Sequence, residues 1–274
     1  MTRMIDLSAD IGESFGSHRM GNDEELLDSL TSANVACGFH AGDPRVMHSA
    51  VSACVRRGVA VGAHPGFPDL VGFGRRAIEM SAEEVRTDVL YQIGALSAFA
   101  RAAGIHLTHV SPHGRLGNLV VSDERYAGPV ADAVQAFDPA LVVVTYSGAL
   151  ERMARERGLP VGLLGFPDRG YEDDGTLVSR REPGAVLHEP ELIAERAVRM
   201  ATDGTVVARS GREIEVEIDS LLLHGDNAAS VLAARQVRRA LEDAGVVVAP
   251  LSDVLRVGAG AGGVRAEDGA GSPP

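Results

Sequence analysis

The run Val59-Ala60-Val61-Gly62-Ala63, the stretch from Ser81 to Ala103, and Leu107-Thr108-His109-Val110 read in succession as strand, helix and strand. The first run is apolar throughout, as expected of a strand buried on both faces, and the second is bounded by Leu107 and Val110. Between them, Ser81 and Glu84 have the spacing of a capping box, and Gly104 stands where a helix would stop. A strand, a long helix and a second strand make a parallel βαβ unit.

The alternation continues in both directions. Upstream lie a strand at Met4–Leu7, a short helix at Asp23–Leu30, a strand at Ala33–Ala36 and a helix at Pro44–Arg57. Downstream come a helix near Asp123–Ala136, strands at Leu141–Thr145 and Val161–Gly165, and a helix at Gly148–Arg157 between them. A helix at Glu191–Thr202, a hairpin turning at Ser210-Gly211, a strand at Ser220–Leu223 and a helix at Asn227–Ala244 follow. About seven βα units in one chain favour a closed or nearly closed (β/α) barrel over an open doubly wound sheet or two domains. No G-x-G-x-x-G follows a strand, so a dinucleotide fold has no support. The barrel domain is expected over residues 1–257. Residues 258–274, rich in Gly, Ala and Pro, are expected to form a disordered tail.

Composition narrows the chemistry. Net charge is −12 and the basic residues are all arginine, with no lysine anywhere. A lysine Schiff base and a P-loop lysine are therefore excluded. Nucleic acid is not an expected partner, because no basic cluster exceeds an Arg pair. No apolar run approaches the roughly 20 residues of a membrane span. Cys37 and Cys54 make neither a disulfide framework nor a zinc set. With no signal-peptide core in Met1–Asp6, the expected compartment is the cytoplasm.

Nearly every predicted strand is followed by unusual polar residues: Asp10 and Glu13, then Asn34 and His40, His64, His109 and His113, Asp168 and Arg169, and finally His224 and Asp226. In parallel α/β folds the carboxyl ends of the strands converge on one crevice. His40, His64 and His113 are expected to line it as solvated groups. In the first strand Asp6, Ser8 and Asp10 share one face at period two, which predicts a polar barrel interior. Asp43 before Pro44 reads as a helix N-cap, Cys37 as a small buried residue, and His48 and His106 as surface or packing residues. Gly72-Phe73-Gly74-Arg75-Arg76 is equally an anion clamp or a plain turn. The residue types suit a metal-free acid/base site better than a metal centre, since no local ligand motif is present. Were a divalent metal held, Asp10, His40 and His64 would be its candidates.

Several strings resemble the LamB/YcsF family. They are Asp6-Leu7-Ser8-Ala9-Asp10-Ile11-Gly12-Glu13, the stretch from Ser32 to Pro44 containing Ala36-Cys37-Gly38-Phe39-His40, Gly62-Ala63-His64-Pro65-Gly66-Phe67-Pro68-Asp69, Gly72-Phe73-Gly74-Arg75-Arg76, Tyr91-Gln92-Ile93-Gly94-Ala95-Leu96, Asp168-Arg169-Gly170-Tyr171, Leu177-Val178-Ser179-Arg180 and His224-Gly225-Asp226. The likeness runs from Met4 to Leu251. It implies a single seven-stranded (β/α) barrel of the glycoside hydrolase/deacetylase type. It also implies a 5-oxoprolinase activity: opening of the 5-oxo-L-proline lactam to L-glutamate with ATP, this chain working beside 5-oxoprolinase subunits B and C.

On this reading Asp10, Glu13, His40, His64 and His113 are catalytic. Asn34, Arg75, Asp168, Arg169, Arg180 and His224 bind substrate, with Arg169 and Arg180 on its carboxylate. ATP would be handled largely by the partners. A homo-oligomer stays open, as do a metal-dependent deacetylase-like amide hydrolase and a non-catalytic paralogue that binds a small acid. Two departures stand out: Ser8 replaces the usual Asn, and Ser111 stands where the family usually has lysine, with Arg115 four residues on.

Overall fold

The structure is a computed structural model and describes residues 3–180, 182–223 and 228–262. In chain order the strands are β1 (Met4–Ile11), β2 (Ser32–Ala36), β3 (Ala60–His64), β4 (His109–Val110), β5 (Val142–Thr145), β6 (Val161–Gly165), β7 (Thr205–Val207), β8 (Glu213–Glu215), β9 (Ser220–Leu223) and β10 (Val247–Val248). The helices are α1 (Asp23–Leu26), α2 (Pro44–Arg57), α3 (Ala82–Ala102), α4 (Gly114–Ser122), α5 (Glu124–Phe137), α6 (Ala149–Glu156), α7 (Pro190–Asp203), α8 (Ala228–Asp243) and α9 (Leu251–Gly262).

β1 to β6 and β9 pair in parallel, and β1 also pairs with β9, so seven strands close into a ring. β10 adds to the start of β1, matching Met4 with Val247. The predicted hairpin is β7 against β8, antiparallel, with Thr205 opposite Glu215.

Local signals explain the helices that position the site. Asp43 caps α2, its carboxylate accepting from the Arg45 and Val46 amides, and Pro44 supplies the first turn. Ser81 and Glu84 close a full capping box on α3. Cys37 is buried, and His48 and His106 are exposed.

Three features differ from expectation. α4 lacks a sequence signal, because Pro112, Gly114 and Gly117 lower helix propensity; burial of Leu116 and Val120 overrides it. β4 is only two residues long, since Pro112 cannot continue the ladder. α9 carries the chain through Gly258 to Gly262, residues expected in the tail. Leu251 and Val254 dock the first turn of that helix against the barrel. Residues 263–274 of the expected tail lie outside the described residues.

The barrel interior is polar, as the first strand predicts. At its lower level the Asp6 carboxylate accepts from Ser32 (2.7 Å), Thr31 (2.8 Å) and Ser220 (2.6 Å), and Ser220 also meets Ser8 at 2.9 Å. Ser8, the departure from the family pattern, thus joins a hydroxyl network below the site. One level up, the register aligns Asp10 with Asn34, Asn34 with Gly62, and Gly62 with His109. Gly62 has no side chain, so the His109 ring crosses β3 and reaches Asn34 at 2.9 Å. A mid-strand glycine often marks such a close approach.

Candidate active site

The carboxyl ends of β1 to β4 deliver one cluster. Asp10 is near the end of β1 and Glu13 follows it; Asn34 is on β2, with His40 in the loop beyond; His64 ends β3; His109 opens β4, and His113 caps α4. His40, His64 and His113 are 0%, 2% and 3% exposed. The expectation of solvated crevice histidines is therefore corrected: the loops after β1 and β3 close over them.

Glycines permit that closure. A Cβ on Gly66 would stand 2.8 Å from His40 Nδ1, and one on Gly74 2.9 Å from both His40 Cβ and His113 Cδ2. Phe73, at φ 55°, is the one non-glycine residue with positive φ among the described residues. This conformation is strained for a bulky residue, and such strain gathers at functional sites. The turn aims the Phe73 carbonyl at His113 Nε2 (2.9 Å) and stands the Phe73 ring edge-on to His40 and His113.

Hydrogen bonds define which ring nitrogens face inward. His64 donates from Nδ1 to the Ser111 carbonyl (2.6 Å), and His113 donates from Nε2 to the Phe73 carbonyl (2.9 Å). Their other nitrogens, His64 Nε2 and His113 Nδ1, meet at 2.9 Å. Two lone pairs cannot face each other at that distance, so a positive charge sits between them. Ser111 serves His64 through its backbone, a task independent of the side chain that replaces the family lysine.

Asp10 sits beside the inward nitrogen of His64, with Oδ2 3.3 Å from Nε2, and its Oδ1 accepts from Asn34 Nδ2 at 2.9 Å. Burial alone would raise the Asp10 pKa; the His64 charge beside it outweighs that and holds Asp10 well below the ordinary carboxylate range. Burial likewise works against the His64 cation, yet Asp10 raises its pKa above 6.5. Burial, then the His64 charge, pushes His113 down to about 3 and His109 down to about 4. His40 is held neutral by burial and by His113 and His64. Glu13 is pushed up to about 8, by burial and then by Asp10. Glu13 Oε1 and both His40 nitrogens are buried without a hydrogen-bond partner.

Glu13, His40, His64 and His113 present one donor atom each within 4.8 Å of one another, a set able to hold a metal ion. Asp10, expected in such a set, is not among these four, although its Oδ2 stands 3.3 Å from His64 Nε2. His109, read from sequence as a strand-end residue but given no role, and Phe73, read only as part of the Gly72–Arg76 string, both join the site. The mid-strand Gly62 is a further signal for the first; nothing in the sequence announces the positive φ of the second.

The remaining expected residues are placed as follows. Arg75 is exposed, with its guanidinium 5.1 Å from the Phe73 ring centre, and its charge reaches Glu13, His40 and His113. Arg76 instead binds Asp69. Asp168 is buried and Arg180 exposed, both in the loop after β6. Arg169 braces that loop, donating to the Ala185 (2.8 Å) and Val178 (2.7 Å) carbonyls. His224 and Asp226 lie outside the described residues.

The buried neutral His109 has a stability signature. Unfolded, it titrates near 6.5; folded, near 4. Between those values the unfolded chain binds the extra proton, so stability falls as pH falls. The full window is worth on the order of 3 kcal/mol. Urea melts at several pH values between 7.5 and 4.5 are expected to show a steeper acid decline for the wild type than for His109→Gln. Parallel curves would mean that His109 is not held neutral by the fold.

Among the described residues, no helix is long and apolar enough to cross a membrane. The LamB/YcsF family model matches residues 5–256. A relative from Syntrophobacter fumaroxidans, named as the A subunit of 5-oxoprolinase, is 50% identical over 244 residues, covering 89% of this chain and 96% of the relative. The solved lactam utilization protein from Thermus thermophilus shares 49% identity at a TM-score of 0.87, covering 90% of this chain and 99% of that one. Peptidoglycan deacetylase PdaC from Bacillus subtilis, at 16% identity and a TM-score of 0.50 over 95% of this chain and 93% of its own, shares the fold alone. With a matching family model over nearly the whole barrel and half the residues shared with such relatives, the chain belongs to the LamB/YcsF family.

Proposed function

We propose that the chain opens the lactam of 5-oxo-L-proline to L-glutamate, as the A component of an ATP-dependent assembly with B and C partners. The observation that carries this reading is the buried cluster of Glu13, His40, His64 and His113, in which Glu13 Oε1 and both His40 nitrogens lack hydrogen-bond partners. The names and high identity of the relatives support the substrate.

Lactam opening needs a water made nucleophilic, a charge facing the developing oxyanion, and a held substrate. His40, neutral and with free nitrogens, is the base for that water. The inward nitrogens of His64 and His113, with the positive charge between them, face the carbonyl oxygen. Asp10 and Asn34 keep the His64 ring in place. Arg75, which makes no ion pair among the described residues, is suited to the substrate carboxylate. Arg169 is less so, because its donors are committed to the loop. An unstrained amide calls for coupling to ATP, and a chain without lysine leaves the phosphates to its partners.

The test is to purify this chain with the B and C partners and assay glutamate formed from 5-oxo-L-proline. Glutamate is expected only with all three components and ATP. An assembled complex that forms none, or tight ATP binding by the chain alone in calorimetry, overturns the reading.

A further inference from the structure

We infer that the positive charge between His64 and His113 is, in the working protein, a divalent first-row metal ion ligated by His64 Nε2, His113 Nδ1 and Glu13 Oε1. The inference goes beyond lactam opening and does not depend on it.

Three independent observations carry it. The first is ring orientation. His64 and His113 each donate the outer N–H to a backbone carbonyl, of Ser111 and Phe73, which leaves the inner nitrogen as a lone pair. Carbonyl-anchored imidazoles of this kind are the usual support of metal-bound histidine. The second is spacing. Metal–nitrogen bonds of about 2.1 Å in a tetrahedral site place neighbouring donors about 3.4 Å apart. Here His64 Nε2 and His113 Nδ1 are 2.9 Å apart, and His113 Nδ1 lies 3.5 Å from Glu13 Oε1. The third is the orphaned carboxylate oxygen: Glu13 Oε1 is buried with no hydrogen-bond partner, a costly state that a cation would relieve.

His40 is close, with Nε2 3.4 Å from Glu13 Oε1, but it is not assigned as a ligand. Its ring stacks on His113 at 3.7 Å and 8° between planes. The lone pairs of two stacked rings lie in parallel planes and do not converge on one centre. His40 is left beside the ligand set, where its nitrogens, without hydrogen-bond partners, would be able to take a proton from a water that such an ion would acidify. Asp10 Oδ2, 3.3 Å from the same His64 Nε2, supplies negative charge beside the ligand set, while the atoms that lie mutually close are those of Glu13 and the histidines. Two nitrogens and one carboxylate oxygen suit Zn²⁺ or Co²⁺, with a remaining position for water.

The experiment uses the full chain, stripped with a chelator and titrated with Zn²⁺ by calorimetry and with Co²⁺ by visible absorption. One equivalent is expected, with a Co²⁺ spectrum of a low-symmetry nitrogen and oxygen site. Glu13→Gln and His113→Ala are each expected to weaken binding at least ~100-fold, the cost of losing a ligand that also orients its neighbours. His40→Ala is expected to bind within ~10-fold of wild type, and His48→Ala on the surface to bind like it. Because Glu13→Gln is isosteric, it keeps the test sound should His113→Ala fail to fold, which circular dichroism reads. No saturable binding by the wild type, or equal binding by Glu13→Gln, overturns the site. Neither result depends on the lactam: a metal-loaded complex without glutamate production sinks the proposed reaction and leaves the metal standing.

Discussion

His64→Ala is expected to lower glutamate formation by the proposed assembly at least ~10³-fold and to destabilise the isolated chain by about 3 kcal/mol. The two effects share a cause. In the metal-free chain Asp10 is held ionised by the His64 charge, and only part of its side chain, 21%, is exposed. Removing the ring leaves a half-buried carboxylate without its counter-charge, and breaking a buried pair from one side is strongly unfavourable. The expected loss sits at the low end of that range because Asp10 keeps some water and the Asn34 amide. On the functional side, the ring supplies one of the two inward nitrogens that the proposed reaction sets against the lactam carbonyl.

The double variant Asp10→Asn, His64→Ala separates the two contributions. If the pair is coupled as the geometry demands, the double variant is more stable than the sum of the single losses by about 1 kcal/mol or more. Turnover does not recover. Urea melts of the four proteins and a glutamate assay of the four complexes decide the matter. A His64→Ala chain as stable and as active as wild type removes the pair from the mechanism.

Gly62→Ala is expected to cost about 3–5 kcal/mol, an unusual penalty for one added methyl group. The new Cβ would fall on His109 Nε2 and Cδ2, inside any permissible contact. The ring cannot slide, because Thr108 Oγ1 donates to its Nδ1 at 2.7 Å while its Nε2 donates to Asn34 at 2.9 Å. It must swing out, leaving the buried Asn34 carbonyl without a donor. Asn34 is also the residue that holds Asp10, so turnover falls together with stability. His109→Ala in the same chain removes the clash and is expected to recover part of the lost stability. A neutral Gly62→Ala would show that β3 and β4 can spread at this level and that the cross-strand bond does not matter.

Much of this molecule is written locally. The capping box at Ser81 and Glu84, the Asp43-Pro44 helix start and the apolar runs between helices are short-range signals, and they determined a parallel βα architecture from the chain alone. The period-two face of Asp6, Ser8 and Asp10 likewise determined a polar interior, because alternation along a strand survives whatever the strand packs against. The placing of polar residues just after strands indicated which end of the barrel carries the site. The family strings added the strand number.

What the sequence could not determine is set by closure. Only when β9 pairs with β1 do Ser220 and Asp6 meet, more than two hundred residues apart in the chain. Only the register of β2, β3 and β4 makes Gly62 the gap through which His109 reaches Asn34. Burial of the histidines depends on the loops around Gly66 and Gly74 folding back over them, and the tautomers of His64 and His113 depend on two backbone carbonyls, of Ser111 and Phe73. Neither carbonyl has a residue-type signature, because every residue carries one. Side-chain identity therefore announced which groups could react; the geometry of main-chain atoms brought from distant segments decided which nitrogens face inward, and so left Glu13, His64 and His113 converging on one point.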